Sequence, residues 1–476
     1  MKRRIYTGIL VFLFVFISIM PTAVGHLHAA SASDRNKEEA MNHHVDFENG
    51  DLIVGTFFTA STKAKSEKEP KRPIDRRIGL YASNNGTDFT YLGETGLSGR
   101  DSSLMYKDGM FYMLSTATEK EQFAIHIQKS KDLLNWTHLN NARYEITNIE
   151  GKRPGKVYNW GPKWVEDGDK TYVIVSFESA QPRITHGLLP FASYPIMDTF
   201  IIPVESWGTD GQSKEDLNLK NITFGKPRKV NWGEGEGLSY KLYKGEKEQI
   251  SRIGSYVFIH KDNKPKYGYS YIQFTKVDPW GEIEIWGADD LMTEKPWKRI
   301  SPALVYSGMG AEAPNAFIDA GSRKFKRLFE GNYPVQIGDT FYLYTDNYVY
   351  KSADLLTDGG MYYTTFTDLT QGFSNPKPIQ VSNTTQRPTG IEDYVTRNGN
   401  VKKITNPDAK KIIAAFSAHK ANPNGTKRAN ENVSAAGEPG QNEARSASPA
   451  VPLSILAGGT AIMGFIYLKL RKKKKR

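Results

Sequence analysis

Two acidic residues at the start of apolar, β-prone runs are the best candidates in this chain for chemistry. Asp101 precedes the run from Leu104 to Ser115, and Glu330 follows Phe329 at the head of another. Acid–base cleavage of a glycosidic bond needs two carboxyl groups: one protonates the leaving oxygen, and the other activates water or attacks carbon. Most acids lie on the surface, but a solvated charge is less expected directly before an apolar strand. Asp101 and Glu330 are therefore the candidate pair.

The candidate acids need strands whose starting ends meet in space. Residues 100–115, 160–176 and 328–348 share one layout, in which a β-prone run, a turn with Gly and Asp, and a second run follow one another. Turn residues between two such runs predict antiparallel hairpins. In the middle stretch Trp160 stands where the others have an acid. A Trp there suits either an apolar platform for a sugar ring or a packed core residue.

The hairpins repeat along the chain. Inner hairpins are predicted at 52–58, 104–115, 163–176, 240–260 and 329–345, and second strand pairs at 78–92, 125–139, 199–230, 283–300 and 361–373. Five four-stranded units predict an all-β fold, a five-bladed β-propeller that residues 52–58 close against the C-terminal strands. A β-sandwich would explain the strands but not the fivefold pairing of hairpin types. The propeller is predicted to span residues 44–417.

The positive charge belongs to the two ends of the chain. The formal net charge is +11, but ten of the 63 basic residues lie in the first four and last eight positions, and the remainder nearly balances the 52 acids. No nucleic-acid partner is therefore expected. Residues 1–32 predict a signal peptide, with an uncleaved anchor as the alternative. Residues 418–450 predict a disordered linker, 451–468 a transmembrane segment, and 469–476 a basic cytoplasmic tail.

Other chemistries find little support in the sequence. Cysteine is absent, so neither disulfides nor thiolate metal sites can form. The run from Gly233 to Gly237 lacks the spacing of a phosphate loop. Four histidines, His26, His28, His43 and His44, straddle the predicted cleavage site and do not predict a metal site. No Gly-x-Ser-x-Gly motif occurs. No cofactor and no metal are expected.

Five motifs in order resemble those of glycoside hydrolase family 43, particularly its arabinosidase-like members. The resemblance covers about residues 47–400. The segments that carry it are Gly99-Arg100-Asp101-Ser102-Ser103-Leu104-Met105, Ser130-Lys131-Asp132-Leu133-Leu134-Asn135-Trp136, Trp160-Gly161-Pro162-Lys163, Ala288-Asp289-Asp290-Leu291 through Trp297, and Glu330-Gly331-Asn332 with Asp346-Asn347-Tyr348.

The resemblance implies a five-bladed propeller and a division of roles between the acids. Asp101 would be the general base and Glu330 the general acid of an inverting hydrolase, with a water between carboxyl groups about 6.5–9.5 Å apart. Trp160, Asn347, Tyr348 and Trp232 would contribute to substrate binding.

The sequence departs from the family pattern in three places. The family has a third acid, an Asp on the middle blade that tunes the general acid, but residues 243–259 contain no Asp. Glu246 is the candidate pKa-tuning acid in its place, and Glu248 is an alternative. Lys163 replaces a carboxylate, and the late histidine is missing from residues 386–390. A central metal is therefore not expected.

Two hypotheses follow for function. The first is a cell-surface glycosidase acting on arabinofuranosyl, xylosyl or galactosyl linkages of a polysaccharide or oligosaccharide. The alternative is a non-catalytic carbohydrate-binding propeller, which the missing third acid favours; an adhesin for a protein ligand finds no sequence support. The layout of the termini resembles Gram-positive surface proteins without the Leu-Pro-x-Thr-Gly motif. It predicts a monomer anchored in the cell membrane by a single C-terminal span, with its body outside.

Overall fold

The structure is a computed structural model. It describes residues 45–61, 77–116, 125–142, 159–178, 197–207, 222–233, 240–243, 246–249, 251–261, 264–278, 282–300, 327–352, 355–370, 373–374, 376–383 and 394–422. All of them lie in the first of the chain's two units, Met1–Pro423. The predicted signal peptide, transmembrane segment and basic tail lie outside the described residues.

The first blade joins the two ends of the folded body. Its sheet runs in the order β23-β3-β2-β1-β24, formed by β1 (Leu52–Ser61), β2 (Arg77–Ser83), β3 (Asp88–Ser98), β23 (Gln380–Ser382) and β24 (Tyr394–Ile404). β24 is the innermost strand and pairs antiparallel with β1 from Leu52↔Ile404 to Ser61↔Tyr394. The predicted closure of the ring by residues 52–58 is confirmed.

The second and third blades follow in chain order. The second contains β4 (Arg100–Lys107), β5 (Met110–Thr116), β6 (Ile125–Ser130) and β7 (Thr137–Ala142). The third contains β8 (Asn159–Asp167), β9 (Lys170–Glu178) and β10 (Met197–Ser206), with the short β11 (Thr223–Phe224) and β12 (Arg228–Lys229) on its outer edge. Asp108 and Gly109 have φ of 50° and 79° between β4 and β5, as a tight hairpin turn requires.

The fourth and fifth blades complete the ring. The fourth contains β15 (Ser251–Ile259), β16 (Tyr271–Asp278), β17 (Glu282–Ala288) and β18 (Lys298–Arg299), with helix α1 (Lys264–Tyr267) between β15 and β16. The fifth contains β19 (Arg327–Ile337), β20 (Thr340–Ser352), β21 (Leu355–Phe366) and β22 (Lys377–Pro378). The predicted five-bladed, all-β propeller is thereby confirmed.

Each interface between neighbouring blades has its own hydrophobic core. Side chains alternate between the two faces of a strand, so each blade packs against both of its neighbours. Tyr112 and Leu114 of β5 pack against Trp164 and Val173 of the third blade, while the intervening Met113 packs towards the first blade. Three further clusters fill the third–fourth, fourth–fifth and fifth–first interfaces. Five cores for five interfaces are what a closed ring requires.

One predicted hairpin is corrected by the structure. The sequence predicts that residues 240–260 form the inner pair of the fourth blade. Instead β13 (Tyr240–Tyr243) and β14 (Glu246–Gln249) pair with each other as a separate two-stranded sheet, and β15 pairs with β16. Both hairpins are β-prone, but only β15 carries a glycine, Gly254, with the positive φ that the axis of the propeller requires.

The folded body ends in a helix that extends past the predicted linker boundary at residue 418. Helix α2 (Pro407–Ala421) begins after Asn406, whose side chain accepts hydrogen bonds from the backbone N–H groups of Asp408 and Ala409. It buries Ile413 and Phe416 in the core between the first two blades, and this burial orders the chain to its last turn. Among the described residues, no helix is long and apolar enough to cross a membrane.

Candidate active site

The inner strands of all five blades share a β-bulge near the same end. The register of each inner pair skips at Arg100/Ser103, Trp160/Lys163, Ile253/Tyr256 and Glu330/Tyr333, and on β24 the skipped residue is Asn398. In four of the bulges the first residue skipped by the register has positive φ: 55° at Asp101, 60° at Gly161, 57° at Gly254 and 62° at Gly331. A bulge re-aims side chains and bends its strand. In this protein the bulges of the five inner strands surround one axis.

The bulges lie in van der Waals contact with one another, and at Gly331 there is no room for a Cβ. A Cβ on Gly161 would lie 3.7 Å from Cα of Gly254, and a Cβ on Gly254 would lie 3.4 Å from N of Gly331. A Cβ on Gly331 would lie 2.3 Å from Oδ1 of Asn398. These contacts trace a continuous path around the axis from the third blade to the first. Asp101 fills the remaining position, and we call the five residues Asp101, Gly161, Gly254, Gly331 and Asn398 the axial ring.

Asp101 is the only acid of the axial ring, and both of its oxygens are bound. Thr116 Oγ1 donates to Oδ2 at 2.9 Å, and Asn398 Nδ2 donates to Oδ1 at 2.7 Å. The side chain is 9% exposed. Asp tolerates positive φ better than most residues with a Cβ. The bulge and the two donors together fix the carboxylate at the axis while leaving part of it accessible.

Asn398 connects Asp101 to a buried ion pair between the first and fifth blades. Its Oδ1 accepts a hydrogen bond of 2.6 Å from the Tyr333 hydroxyl, and its backbone N–H donates to Asp346 Oδ2 at 3.0 Å. Arg397 Nε donates to the same Asp346 oxygen at 2.6 Å. Asp346 is fully buried and Arg397 nearly so. Buried charges are stable in this way only when they are paired and hydrogen-bonded.

The predicted acid Glu330 lies one position earlier in its strand than Asp101. The register aligns Glu330 with Arg100 and Trp160, and it aligns Asp101 with Gly331. Glu330 pairs directly with Asp346 across β19 and β20. The side chain of Glu330 lies outside the described residues, so the predicted distance between the two carboxyl groups stays a prediction.

A second layer of side chains fills the axis beside the ring. Lys163 is fully buried, its Nζ donates to the carbonyl of Gly254 at 3.0 Å, and it lies 4.3 Å from the ring centre of Tyr333. The ring of Tyr256 packs edge-on against Tyr333 at 5.9 Å. Desolvation raises the pKa of Tyr256 to about 12, so its hydroxyl keeps its proton at neutral pH. Lys163, which stands where the resemblance implies a carboxylate, therefore lies in this layer.

The two predicted tryptophans occupy different environments. Trp160 is half-buried at the rim of the axial ring, at the position equivalent to Glu330. Trp232 lies in the core between the third and fourth blades, 6% exposed, with its ring 5.2 Å from Trp286 and 4.9 Å from the guanidinium of Arg252. Its burial gives no support to a sugar-binding role, and the sugar-binding role of Trp160 stays a prediction.

For the other predicted site residues, the structure describes the backbone but not the side chain. Asn347 and Tyr348 follow Asp346 on β20 and pair with Phe329 and Leu328. Glu246 lies on β14, in the hairpin outside the five blade sheets. The fourth-blade position of the axial ring is Gly254. The pKa-tuning role of Glu246 stays a prediction.

Five residues of the site are not predicted from the sequence: Thr116, Tyr333, Asp346, Arg397 and Asn398. Asp346 stands in one of the five motifs, but the prediction takes its neighbours Asn347 and Tyr348 instead. Alignment of Arg100-Asp101, Glu330-Gly331 and Arg397-Asn398 as equivalent strand starts would have indicated the other axial positions. In the described part of the chain, no cluster of three or more His, Asp or Glu side chains is arranged to hold a metal.

Comparison with known proteins gives similarity in structure only. No family model and no curated protein matches the sequence. Similar solved structures include an exo-β-1,3-galactanase from Clostridium thermocellum, with 12% identity and a TM-score of 0.36, covering 59% of this chain and 48% of that one. An α-L-arabinanase from Cellvibrio cellulosa has 12% identity and a TM-score of 0.37, covering 58% and 73%. A GH43 endo-arabinanase from Bacillus licheniformis has 12% identity and a TM-score of 0.34, covering 58% of this chain and 74% of that one.

This chain spans about half the length of the galactanase. The sheets themselves define the class of protein, a five-bladed β-propeller with a buried acidic network on its axis. The comparisons add no assignment of activity to that class.

Proposed function

We propose that this protein is a glycoside hydrolase that cleaves arabinofuranosyl, xylosyl or galactosyl linkages of a polysaccharide or oligosaccharide with inversion. The observation that carries the proposal is the carboxylate of Asp101, which is held at the axis by Thr116 and Asn398. A general base must be oriented as well as ionised. Two donors on two different strands give Asp101 that orientation.

In the proposed reaction Asp101 accepts a proton from the water that attacks the anomeric carbon. Glu330 gives a proton to the glycosidic oxygen on the other side of the sugar, so the leaving group departs as an alcohol. The bond to the leaving oxygen breaks as the bond to water forms on the opposite face, and the configuration inverts. Trp160 at the rim suits the apolar face of the sugar ring. Asn347 and Tyr348 remain proposed substrate contacts.

A second candidate function is carbohydrate binding without catalysis. The observation that favours it is Gly254, which leaves the fourth-blade position of the axial ring without an acid. Lys163 is also fully buried at the axis, and its protonated form would oppose the transition state of glycoside cleavage, which is itself cationic.

Hydrolysis assays separate the two candidates. The full-length chain would be tested against aryl arabinofuranosides, xylosides and galactosides and a polysaccharide panel, beside Asp101→Asn and Glu330→Gln. We expect turnover by the wild type and, on the polysaccharides with their unactivated leaving groups, a loss of at least about a thousandfold in both variants. No turnover on any substrate, together with saturable sugar binding that survives both changes, would establish the binding function instead.

The cell-surface location is also a proposal, since residues 1–44 and 423–476 lie outside the described residues. It rests on the signal-like start and on the apolar run before the basic tail. Protease treatment of intact cells should degrade the folded body and leave the C-terminal tail protected. A body that resists the protease in intact cells but not in lysed cells would contradict this location.

A further inference from the structure

The register places Asp346 of β20 directly opposite Glu330 of β19. Residues that pair directly across an antiparallel ladder have Cβ atoms about 4.5–5.5 Å apart. Glu330↔Asp346 is such a pair, immediately before the bulge that begins at Gly331. Among the described residues, Asp346 is therefore the acid that the sheet register places nearest to the proposed general acid.

Asp346 is held rigidly and without solvent. It is 0% exposed, and Arg397 Nε and the backbone N–H of Asn398 both donate to its Oδ2. The Arg397 guanidinium also lies 5.7 Å from the ring centre of Phe58. Arg397 thus offsets the charge of Asp346 from one side.

Several other charged or titratable groups lie on the strands packed around β19. They are Tyr344 on β20, Arg252 and Tyr256 on β15, Lys276 on β16 and Arg397 on β24, and Lys163 of β8 reaches the ring of Tyr333 on β19. Lys163 and Arg397 both favour ionised carboxylates, and the fourth blade contributes Gly254 in place of an acid. A group that favours the protonated form of Glu330 must therefore come from elsewhere. Asp346 is the buried acid in position to do so.

We propose that Asp346 is the positioning residue that keeps Glu330 in its acid form, and that Arg397 sets how strongly it does so. This role in catalysis rests on the proposed function. Its physical content is independent of turnover: a fixed negative charge beside a second carboxyl group favours the proton on that group. Arg397 weakens the effect by partial neutralisation. Removing Asp346 and removing Arg397 should therefore act in opposite directions.

The test is a ¹³C NMR titration of the Glu330 side-chain carboxyl in the full-length chain, assigned by its loss in Glu330→Gln. In Asp346→Asn the apparent pKa of Glu330 should fall by about one unit. In Arg397→Gln it should rise by about half a unit or more. A purely structural role of the ion pair would not produce shifts of opposite sign.

The matched control is Glu284→Gln, which removes a buried carboxylate that accepts from Arg252 at 2.7 Å in the fourth blade. It should leave the pKa of Glu330 unchanged. Circular dichroism would show whether Asp346→Asn folds. If it does not, the test rests on Arg397→Gln alone, and a pKa of Glu330 that is unchanged or lowered in this variant overturns the proposal. A pKa of Glu330 in Asp346→Asn within about 0.2 unit of the wild type also overturns it.

Activity provides a second readout that separates this inference from the proposed function. In an active enzyme, the basic limb of the kcat/KM profile of Asp346→Asn should move to lower pH by the same amount. If the wild type hydrolyses nothing but the NMR shifts appear, the electrostatic inference stands and the hydrolase function fails.

Discussion

Asp101 has φ of 55° at a ring position where the third, fourth and fifth blades use glycine. The side chain compensates for its unfavourable backbone by two hydrogen bonds, and one of these depends on Asn398. Asn398 in turn accepts from Tyr333, which is fully buried. Three side chains from three different strands therefore determine where the proposed base points.

Asn398→Ala should weaken both the site and the fold. It removes one donor to Asp101 and the oxygen that accepts from the Tyr333 hydroxyl, at a cost of about 1–3 kcal/mol in the free energy of unfolding. We expect kcat/KM to fall about 10- to 100-fold, because a misplaced catalytic group loses its alignment. Urea unfolding and steady-state kinetics measure the two effects.

Tyr333→Phe is the milder control for Asn398→Ala. It leaves the amide of Asn398 bound to Asp101 and removes only the hydroxyl that orients it, so kcat/KM should fall less. Equal kinetics for Asn398→Ala and the wild type would contradict the role given to Asn398.

At the scale of the strand, the β-bulge is the feature that lets the five inner strands approach one another at the axis of the propeller. It places a short or absent side chain where neighbouring strands approach. Gly331 has a positive φ of 62°, and a Cβ added to it would lie 2.3 Å from Oδ1 of Asn398. The requirement for glycine is therefore steric as well as conformational.

Gly331→Ala should destabilise the protein far more than Gly338→Ala. Both residues have positive φ, 62° and 57°, but a Cβ on Gly338 meets nothing within 4 Å. The backbone cost alone is about 1 kcal/mol and applies to both. The clash at Gly331 should add about 2 kcal/mol or more, because Asn398 must move. Similar unfolding free energies for the two variants would show that the axial ring is not closely packed.

The elements themselves were predictable from the sequence because each blade repeats the same hairpin pattern. The bulges were not, since a bulge shifts register by one residue without changing composition. That shift explains why Asp101 and Glu330 look like equivalent positions in the sequence, although Asp101 aligns with Gly331. Residues 240–249 were assigned to a blade for a different reason, because their hairpin is as β-prone as that of β15 and β16. Helix α2 was missed, although Asn406 and Pro407 form a recognisable helix start.

At the scale of the whole molecule, closure depends on β24. This strand supplies the inner edge of the first blade, the fifth member of the axial ring, and Arg397. The site thus combines residues from nearly opposite ends of the folded body: Asp101 near its start and Asn398 near its end. A ring closed in this way makes the candidate site depend on the complete fold.

A version of the chain ending at residue 393 should lose cooperative thermal unfolding. It lacks β24, so β1 keeps an unpaired edge and the ring stays open. A version ending at residue 405 is the control, because it keeps β24 and loses only helix α2. It should still unfold cooperatively, but with about 3–5 kcal/mol less stability, since Ile413 and Phe416 are no longer buried. Cooperative melting of the shorter version at the wild-type temperature would refute closure by β24.

The central claim is that Glu330 gives the proton and Asp101 takes it, and leaving-group dependence tests this most directly. The measurement is kcat/KM of Glu330→Gln and Asp101→Asn on a dinitrophenyl glycoside and on the unactivated oligosaccharide of the same sugar. A dinitrophenolate departs without a proton, so Glu330→Gln should retain activity on that substrate within about tenfold of the wild type while losing the oligosaccharide. Asp101→Asn should lose both, because water must still be activated. Equal losses of Glu330→Gln on the two substrates would contradict the account.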